Sequence, residues 1–348
     1  NDNDNDNDND NDKNSNNDRR GMLDLILVVD DTYEFHKENL RIFPNHYAPW
    51  LRYCGPNLVT KVQRNGLSLF PSHVLFHVVD DTGNDNNNNN NNDNNLPKMK
   101  YGVVDKKDLI RDLTEWDSLY LAGRLQKPTL PLIIHDNDED NDELLVAQMK
   151  NLNAATAAAL LLSSSSTESN SKSESNSPTS LSWSSFYQQI SSLSYTGDFR
   201  MKVGGEDPQK ISKLVQAPGQ MKRFHSLYKP ILSDLYQKSG VISTSTSISM
   251  DNSGDSCIGG LEWDSNDPST ISYLQQQLPQ SIQRRLGDSL SKNYNNRHDN
   301  VSVVLATMLA GIVSPAARNQ SFKGIFTLGI RKSIQYAEAK LSKGRRGG

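Results

Sequence analysis

Tracts of asparagine, aspartate and serine constrain this 348-residue chain more than any other feature. Residues 1–20 are almost entirely Asn and Asp, 84–95 repeat that composition, and 163–182 are rich in Ser and Thr. Such tracts hold too little apolar surface to offset the entropy of ordering them. About 300 residues remain to fold, the length of two ordinary domains. The expected organisation is a disordered tail over 1–20, a first folded unit over 21–205 with disordered inserts at 82–97 and 163–182, a helical unit over 206–300, and a basic terminal segment over 301–348.

The formal charge is −4, and the first twenty residues supply it alone, with seven Asp against Lys13, Arg19 and Arg20. The remainder is neutral but uneven, since 323–348 hold seven Lys/Arg and one Glu. A basic end on a neutral body suits an acidic partner (membrane surface, nucleotide or nucleic acid) or is a plain solvated tail. Cys54 and Cys257 lie far apart without metal-ligand spacing, which argues against a disulfide framework or a zinc site. No uninterrupted run reaches the ~18 apolar residues of a membrane span. The longest, Ala154–Leu162 with only Thr156 polar, reads as a buried helix. The chain starts with Asn and shows no signal peptide, so it reads as a piece whose targeting segment would lie upstream.

Residues 22–31 read Met-Leu-Asp-Leu-Ile-Leu-Val-Val-Asp-Asp. At the two-residue repeat of a strand, Asp24, Ile26, Val28 and Asp30 share one face. An unpaired buried carboxylate is costly. A buried strand of this kind therefore points to a divalent metal that holds a nucleotide triphosphate. A strand with wet ends, opening a turn at Asp30-Asp31, is the other reading.

Thr32–Ile42 is predicted helical, with Tyr33, His36 and Leu40 on one side and Pro44 ending it. Residues 57–65 fit helix or strand. Ser72–Asp80 and Lys98–Asp105 are predicted strands, paired as a hairpin with a long polar tip. Asp105 is placed to cap a helix whose apolar stripe is Leu109, Leu113, Trp116 and Tyr120. A compact basic turn at Arg124–Pro128, a short strand at Leu130–Ile134, an acidic loop and a helix from Asp142 through Ala159 follow. Further helices are expected at Trp183–Leu193, Ile211–Val215 and Met221–Leu235, the last kinked or split by Pro230. Residues 192–201 read as a strand or strand-edge turn, and Val241–Asp267 as irregular. Helices Ser269–Leu278 and Ser281–Leu290, split by Pro279, precede a helix at Val301–Val313. A glycine-punctuated basic loop at Arg318–Gly329 and a final amphipathic helix at Ile330–Lys343 close the chain.

Asp24, with or without Asp30, is the first candidate for chemistry. Asp198, in Tyr-Thr-Gly-Asp-Phe-Arg, is the second. Carboxylates that converge on a metal serve phosphoryl and nucleotidyl transfer; an Asp198–Arg200 surface pair is the plainer alternative. Lys100, Arg124, Lys127, Arg318 and Lys323 are candidate phosphate binders, although each alone could be an exposed cation. Ser321–Gly324 resembles a phosphate-gripping turn, because Gly lets backbone amides approach an anion. His36 and His46 flank a helix end and serve either substrate contact or structure. There is no Ser/His/Asp set, zinc motif or Walker sequence.

Several motifs occur in one order. They are the Asp24 strand, Phe-His-x-x-Asn-Leu (35–40), Asn-His-Tyr (45–47), Lys-Tyr-Gly-Val-Val (100–104), Leu-Tyr-Leu-Ala-Gly-Arg-Leu-Gln-Lys-Pro (119–128), Leu-Ser-Tyr-Thr-Gly-Asp-Phe-Arg-Met (193–201) and Gln-Ser-Phe-Lys-Gly-Ile-Phe-Thr-Leu-Gly (320–329). Over 21–343, apart from the tracts, this set resembles the mitochondrial phosphatidate cytidylyltransferase family of CDP-diacylglycerol synthases. The resemblance implies an α+β fold, with a nucleotidyltransferase-like palm, a mostly helical, winged-helix-like second domain and a C-terminal amphipathic helix. It implies transfer of CMP from CTP to phosphatidic acid with Mg²⁺, for mitochondrial phospholipid (cardiolipin) synthesis. It places the enzyme peripherally on the matrix side of the inner membrane, with the C-terminal helix on anionic lipid and no nucleic acid partner. Asp24 and Asp198 would be catalytic carboxylates, and with Asp30 would hold the metal. Lys100, Arg124, Lys127, Arg318, Lys323 and His36 would contact the nucleotide. The family's Gly-Ser-Gly turn before the Asp24 strand has no counterpart in residues 1–21, which implies a triphosphate cradle incomplete in this chain and an activity that depends on what lies upstream. An RNA nucleotidyltransferase and a non-catalytic partner of mitochondrial membrane machinery are the other classes considered. Few aromatics sit among the basic residues in sequence, which weighs against RNA stacking.

Overall fold

The protein is described by a computed structural model over residues 23–65, 74–79, 99–132, 138–164, 178–202, 207–244, 247–251, 254–292 and 301–328. The fold is mixed α+β, mostly helical, with small sheets. Central to the first sheet is β3 (Met99–Asp105), flanked by β1 (Leu23–Val29) in parallel and β2 (Val74–Val79) in antiparallel order. The predicted hairpin strands do pair; the polar tip between them lies outside the described residues. β1 is an edge strand, not a buried one, and Asp24, Val28 and Asp30 are exposed. A carboxylate on this strand therefore needs no buried partner, and the argument from desolvation cost falls away.

α1 (Thr32–Ile42) starts where the Asp31 carboxylate accepts the amides of Tyr33 and Glu34. α2 (Pro49–Asn65) resolves 57–65 as helix, broken at Gly55 by a left-handed φ of 72° ahead of Pro56. α3 (Lys106–Glu115) begins at Asp105, as expected, but ends before Tyr120. Trp116 and Leu119 both adopt left-handed φ (54° and 52°), so the chain turns and restarts as α4 (Tyr120–Leu125). The basic stretch thus sits partly on a helix. Residues 130–132 form no strand; 133–134 lie outside the described residues.

α5 (Asp138–Ser163) is the hub. Ala154, Ala155, Ala157–Leu161 and Leu152 are all buried, and the helix packs on α3 and on four later helices. After α5 come β4 (Thr179–Ser182), α6 (Trp183–Ser192), α7 (Phe199–Lys202), α8 (Lys210–Gln216), α9 (Gln220–Lys238), β5 (Ile242–Ser243), β6 (Ser247–Asp251), β7 (Gly254–Ile258), β8 (Gly260–Trp263), α10 (Pro268–Gln276), α11 (Gln280–Lys292) and α12 (Val301–Leu328), of which α6, α9, α10 and α12 pack on α5. One apolar cluster runs from Val74 to Val313 around α5, and a smaller one joins Tyr47, Leu51, Val59, Val62 and Leu75.

Several expectations change here. Residues 193–195 are a 3-10 turn followed by α7, not a strand. The 241–267 region supplies β5 and β8 to a β4-β8-β5 sheet and forms the β6-β7 pair, and these short strands with Ser and Gly give little periodic signal. α9 runs unbroken through Pro230, which lies on its exposed side. α12 continues through Pro315 to Leu328, so Arg318–Leu328 is helix and the Ser321–Gly324 turn does not exist. Val301–Ser321 is long and apolar enough to cross a bilayer by length and composition. Single polar residues (Ser302, Thr307, Ser314) interrupt the run and hid this from the search for unbroken apolar sequence. In the fold this helix packs on α5, α11 and β2, with Leu305, Leu309, Val313, Ala316 and Ala317 buried. The Ile330–Lys343 helix lies outside the described residues.

Candidate active site

Strand alternation divides the sheet into two chemically different faces. In the β1–β3–β2 register, Asp24 lies opposite Lys100, Ile26 opposite Gly102, and Gly102 opposite Phe76. These residues share one face. Gly102 is required there, because a Cβ would stand 2.6 Å from the Phe76 ring. The ring fills that space and supports two cations: Lys100 Nζ lies 4.4 Å and the Arg124 guanidinium 5.1 Å from its centroid.

Arg124 comes from α4. Its guanidinium also lies 5.2 Å from the Tyr120 ring, donates to the Tyr120 hydroxyl at 3.2 Å, and reaches Asp24 at 4.0 Å. α4 approaches the 193–195 turn at Gly123, where a Cβ would meet Ser194 Cβ at 2.2 Å. That close approach creates the seat of Lys127. Its ammonium donates to the Gly123 carbonyl (2.6 Å) and the Ser194 hydroxyl (3.1 Å), and lies 5.3 Å from the Tyr195 ring. Lys210, opening α8, stands 5.2 Å from the same ring. Burial, reinforced by Arg124 and Lys210, lowers the Lys127 pKa to about 7. No carboxylate pairs with Lys127 among the described residues. Lys100, Arg124, Lys127 and Lys210 thus stand beside the half-exposed Asp24, an arrangement that suits an anion.

The opposite face is neutral. Tyr101 and His77 stack there at 5.0 Å, and His36 is fully buried between them and α2. His36 Nδ1 meets the Tyr47 hydroxyl at 2.9 Å and Nε2 meets Gln63 Oε1 at 2.6 Å. Asn39 donates to the hydroxyls of Tyr47 and Tyr101, and His46 Nδ1 meets Tyr101. Burial lowers the His36 pKa to about 4. It lowers that of His77 to about 3, with His36 adding to the shift. Both ring nitrogens of the buried His36 are hydrogen-bonded, on the sheet face opposite Lys100 and Asp24.

Asp198 is buried, and its carboxylate is held by Arg200 through Nε at 3.1 Å and Nη2 at 2.6 Å, with the Arg200 amide at 2.9 Å. This is the Asp–Arg pairing weighed above, in buried form. Arg318 is exposed on α12; the side chain of Lys323 lies outside the described positions.

Comparison with known proteins decides the family. Residues 7–343 match the profile described as "Phosphatidate cytidylyltransferase, mitochondrial". Curated relatives of that name include those of Drosophila melanogaster, at 33% identity over 331 residues (92% of this chain, 85% of the relative), and Bos taurus, at 31% over 336 residues (93% and 84%). The Schizosaccharomyces pombe relative is 32% identical over 337 residues (93% and 74%). The chain belongs to the mitochondrial phosphatidate cytidylyltransferase family.

In this family member, Asp24, Lys100, Arg124 and Lys127 come together, while His36 lies on the opposite face of the sheet. Phe76, Tyr120, Tyr195 and Lys210 were missed. Gly102 inside a strand was the one available sign that a ring or ligand approaches there. Lys210 left no sign in the sequence. The scarcity of aromatics beside basic residues also does not survive folding, since each ring of the site faces a cation. Among the described residues no group of three or more His, Cys, Asp or Glu converges on a metal position. Mg²⁺ takes one or two protein carboxylates and fills its remaining positions with water and phosphate oxygens. The half-exposed Asp24 fits that share; Asp198, closed by Arg200, fits only if the pair opens.

Proposed function

We propose that this chain transfers CMP from CTP to phosphatidic acid, giving CDP-diacylglycerol and pyrophosphate. The observation that supports it is the Lys100–Arg124–Lys127–Lys210 surface beside Asp24, in a member of a family named for that reaction. Four cations suit the charge of a triphosphate, and Arg124 offers the planar fork that grips two phosphate oxygens. The phosphatidate oxygen attacks the α-phosphorus, the bond to the β-phosphate oxygen breaks, and pyrophosphate leaves. The nucleophile is already anionic, so no strong base is needed, and the residues act by positioning and electrostatics. Lys127 and Arg124 hold the departing phosphates, and Lys100 and Asp24 flank the α-phosphate. Asp24 would hold Mg²⁺, which would supply neutralisation of the phosphate charge. Asp30 and Asp198 are the remaining candidates for that ion.

Within this reading the sheet and α3–α5 form the nucleotidyltransferase-like palm, and the later elements form the helical, winged-helix-like part. The enzyme works at the matrix face of the inner mitochondrial membrane in supplying cardiolipin synthesis. Its basic C-terminal segment rests on anionic lipid. In this reading nucleic acid is not a partner.

The test uses CTP labelled at the α-phosphate with phosphatidate liposomes and Mg²⁺. Label should enter lipid, with one pyrophosphate released per lipid formed, and Asp24→Asn should abolish this while leaving the unfolding midpoint unchanged. Label that stays in nucleotide, or an Asp24→Asn variant with full turnover, would contradict the proposal.

A further inference from the structure

α4 is six residues long and begins at Leu119, a residue with no side chain able to cap it. A helix this short does not form unaided. It also follows two non-glycine residues in left-handed backbone, Trp116 and Leu119, a conformation that persists only where the surroundings enforce it. Something must therefore hold the 116–122 segment in place.

The carboxylate of Asp112, itself buried on α3, accepts five hydrogen bonds from that segment. Oδ1 takes the Ser118 amide (2.9 Å), the Ser118 hydroxyl (2.9 Å) and the Leu119 amide (3.0 Å). Oδ2 takes the amides of Leu121 (3.0 Å) and Ala122 (2.9 Å), the second and third residues of α4. These are the donors a helix N-cap satisfies, and a negative charge at that end also matches the helix dipole. Behind α4 a neutral group completes the fixation: Asn151 of α5 donates to the Ala122 carbonyl at 3.1 Å and accepts from Trp116 Nε1 and Gln126 Nε2. The helix so fixed carries Tyr120 and Arg124, and its next turn carries Lys127.

We infer that Asp112 is a positioning residue for the reaction, a cap supplied from α3 that aims Arg124 and Lys127 at the nucleotide phosphates. This rests on the proposed role of those two cations. Asparagine keeps the size but offers one acceptor oxygen, so it loses about half of the five contacts and leaves an N–H against amide donors.

The experiment is a double-mutant cycle of Asp112→Asn and Arg124→Gln in the full chain, assayed by transfer of labelled CMP into phosphatidate liposomes well below each variant's unfolding midpoint. Asp112→Asn should lower kcat/KM for CTP about 10- to 100-fold per folded molecule. The loss should be non-additive, so that Asp112→Asn costs several-fold less in the Arg124→Gln background than in the wild type, the remainder acting through Lys127. A residue that only stabilises the fold would move the midpoint without changing activity below it, or would show losses that multiply; either result overturns the inference. If Arg124→Gln keeps full activity, the phosphate-site reading fails, and this inference with it. If Arg124→Gln is impaired and Asp112→Asn is not, only the positioning role fails. Should Asp112→Asn not fold, Ser118→Ala removes one donor of the five and carries the same cycle, with a several-fold loss that is smaller in the Arg124→Gln background.

Discussion

The two faces of the β1–β3–β2 sheet present alternate residues of the same strands, yet they treat polar groups in opposite ways. On one, Lys100, Arg124, Lys127 and Lys210 stand over aromatic rings with a single half-exposed carboxylate nearby. On the other, His36, His77, Tyr47, Tyr101, Asn39 and Gln63 form a neutral network of short hydrogen bonds. In this network both ring nitrogens of His36 and the hydroxyls of Tyr47 and Tyr101 have partners, whereas the buried His77 Nε2 has none. Cations held against ring faces and carbonyls suit an anion. The contrast separates scaffold from site without any ligand present.

The largest effect expected from breaking this contrast is on the cationic face. Lys127→Gln should lower kcat/KM for CTP by about 10²–10³-fold, or about 3–4 kcal/mol, the usual effect of removing one preorganised donor from a transition state. Steady-state kinetics with intact unfolding curves check it. Next comes acid lability of the neutral face. The folded His36 pKa, about 4, lies below its unfolded value of 6.5, so the unfolded chain binds more protons between those values. Stability is therefore complete above pH 6.5 and falls as pH drops toward 4, by about 3 kcal/mol at most from His36, with His77 acting in the same direction. Thermal midpoints across pH 4–8 should show the loss in the wild type and less of it in His36→Gln.

A smaller effect sharpens the comparison at its hinge. Gly123→Ala would place a methyl against Ser194 and pry α4 from the turn that seats Lys127, costing about 1–3 kcal/mol of stability. It should also raise KM for CTP, as titration of rate against CTP would read. The smallest is Tyr195→Leu, which removes the ring shared by Lys127 and Lys210 and should cost about 0.5–2 kcal/mol in CTP affinity.

Much of the site was legible because its residues sit on strongly patterned elements. Asp24 and Lys100 follow from strand alternation, and the Asp105 cap with Leu109 and Leu113 marks the helix leading to Arg124. What failed did so for physical reasons. The stripe through Tyr120 hid two left-handed residues, because nothing in the side-chain pattern marks a turn enforced by Asp112 from the preceding helix. Glycine in 318–329 suggested a loop, yet the apolar face of α12 packs on α5 and keeps the helix going. The buried Arg200 pairing of Asp198 is the plainer of the two readings offered for that residue, and the sequence shows the partner two residues on. Short strands of Ser and Gly in 242–263 offer no period long enough to read.

The central claim is that the cationic face, not the histidine-rich one, holds the nucleotide. Direct calorimetric titration of CTP with Mg²⁺ into wild type, Lys127→Gln and His36→Gln tests it most simply. CTP affinity should fall at least about tenfold in Lys127→Gln and stay within about twofold of wild type in His36→Gln. Equal affinities for wild type and Lys127→Gln, or a loss confined to His36→Gln, would contradict the account.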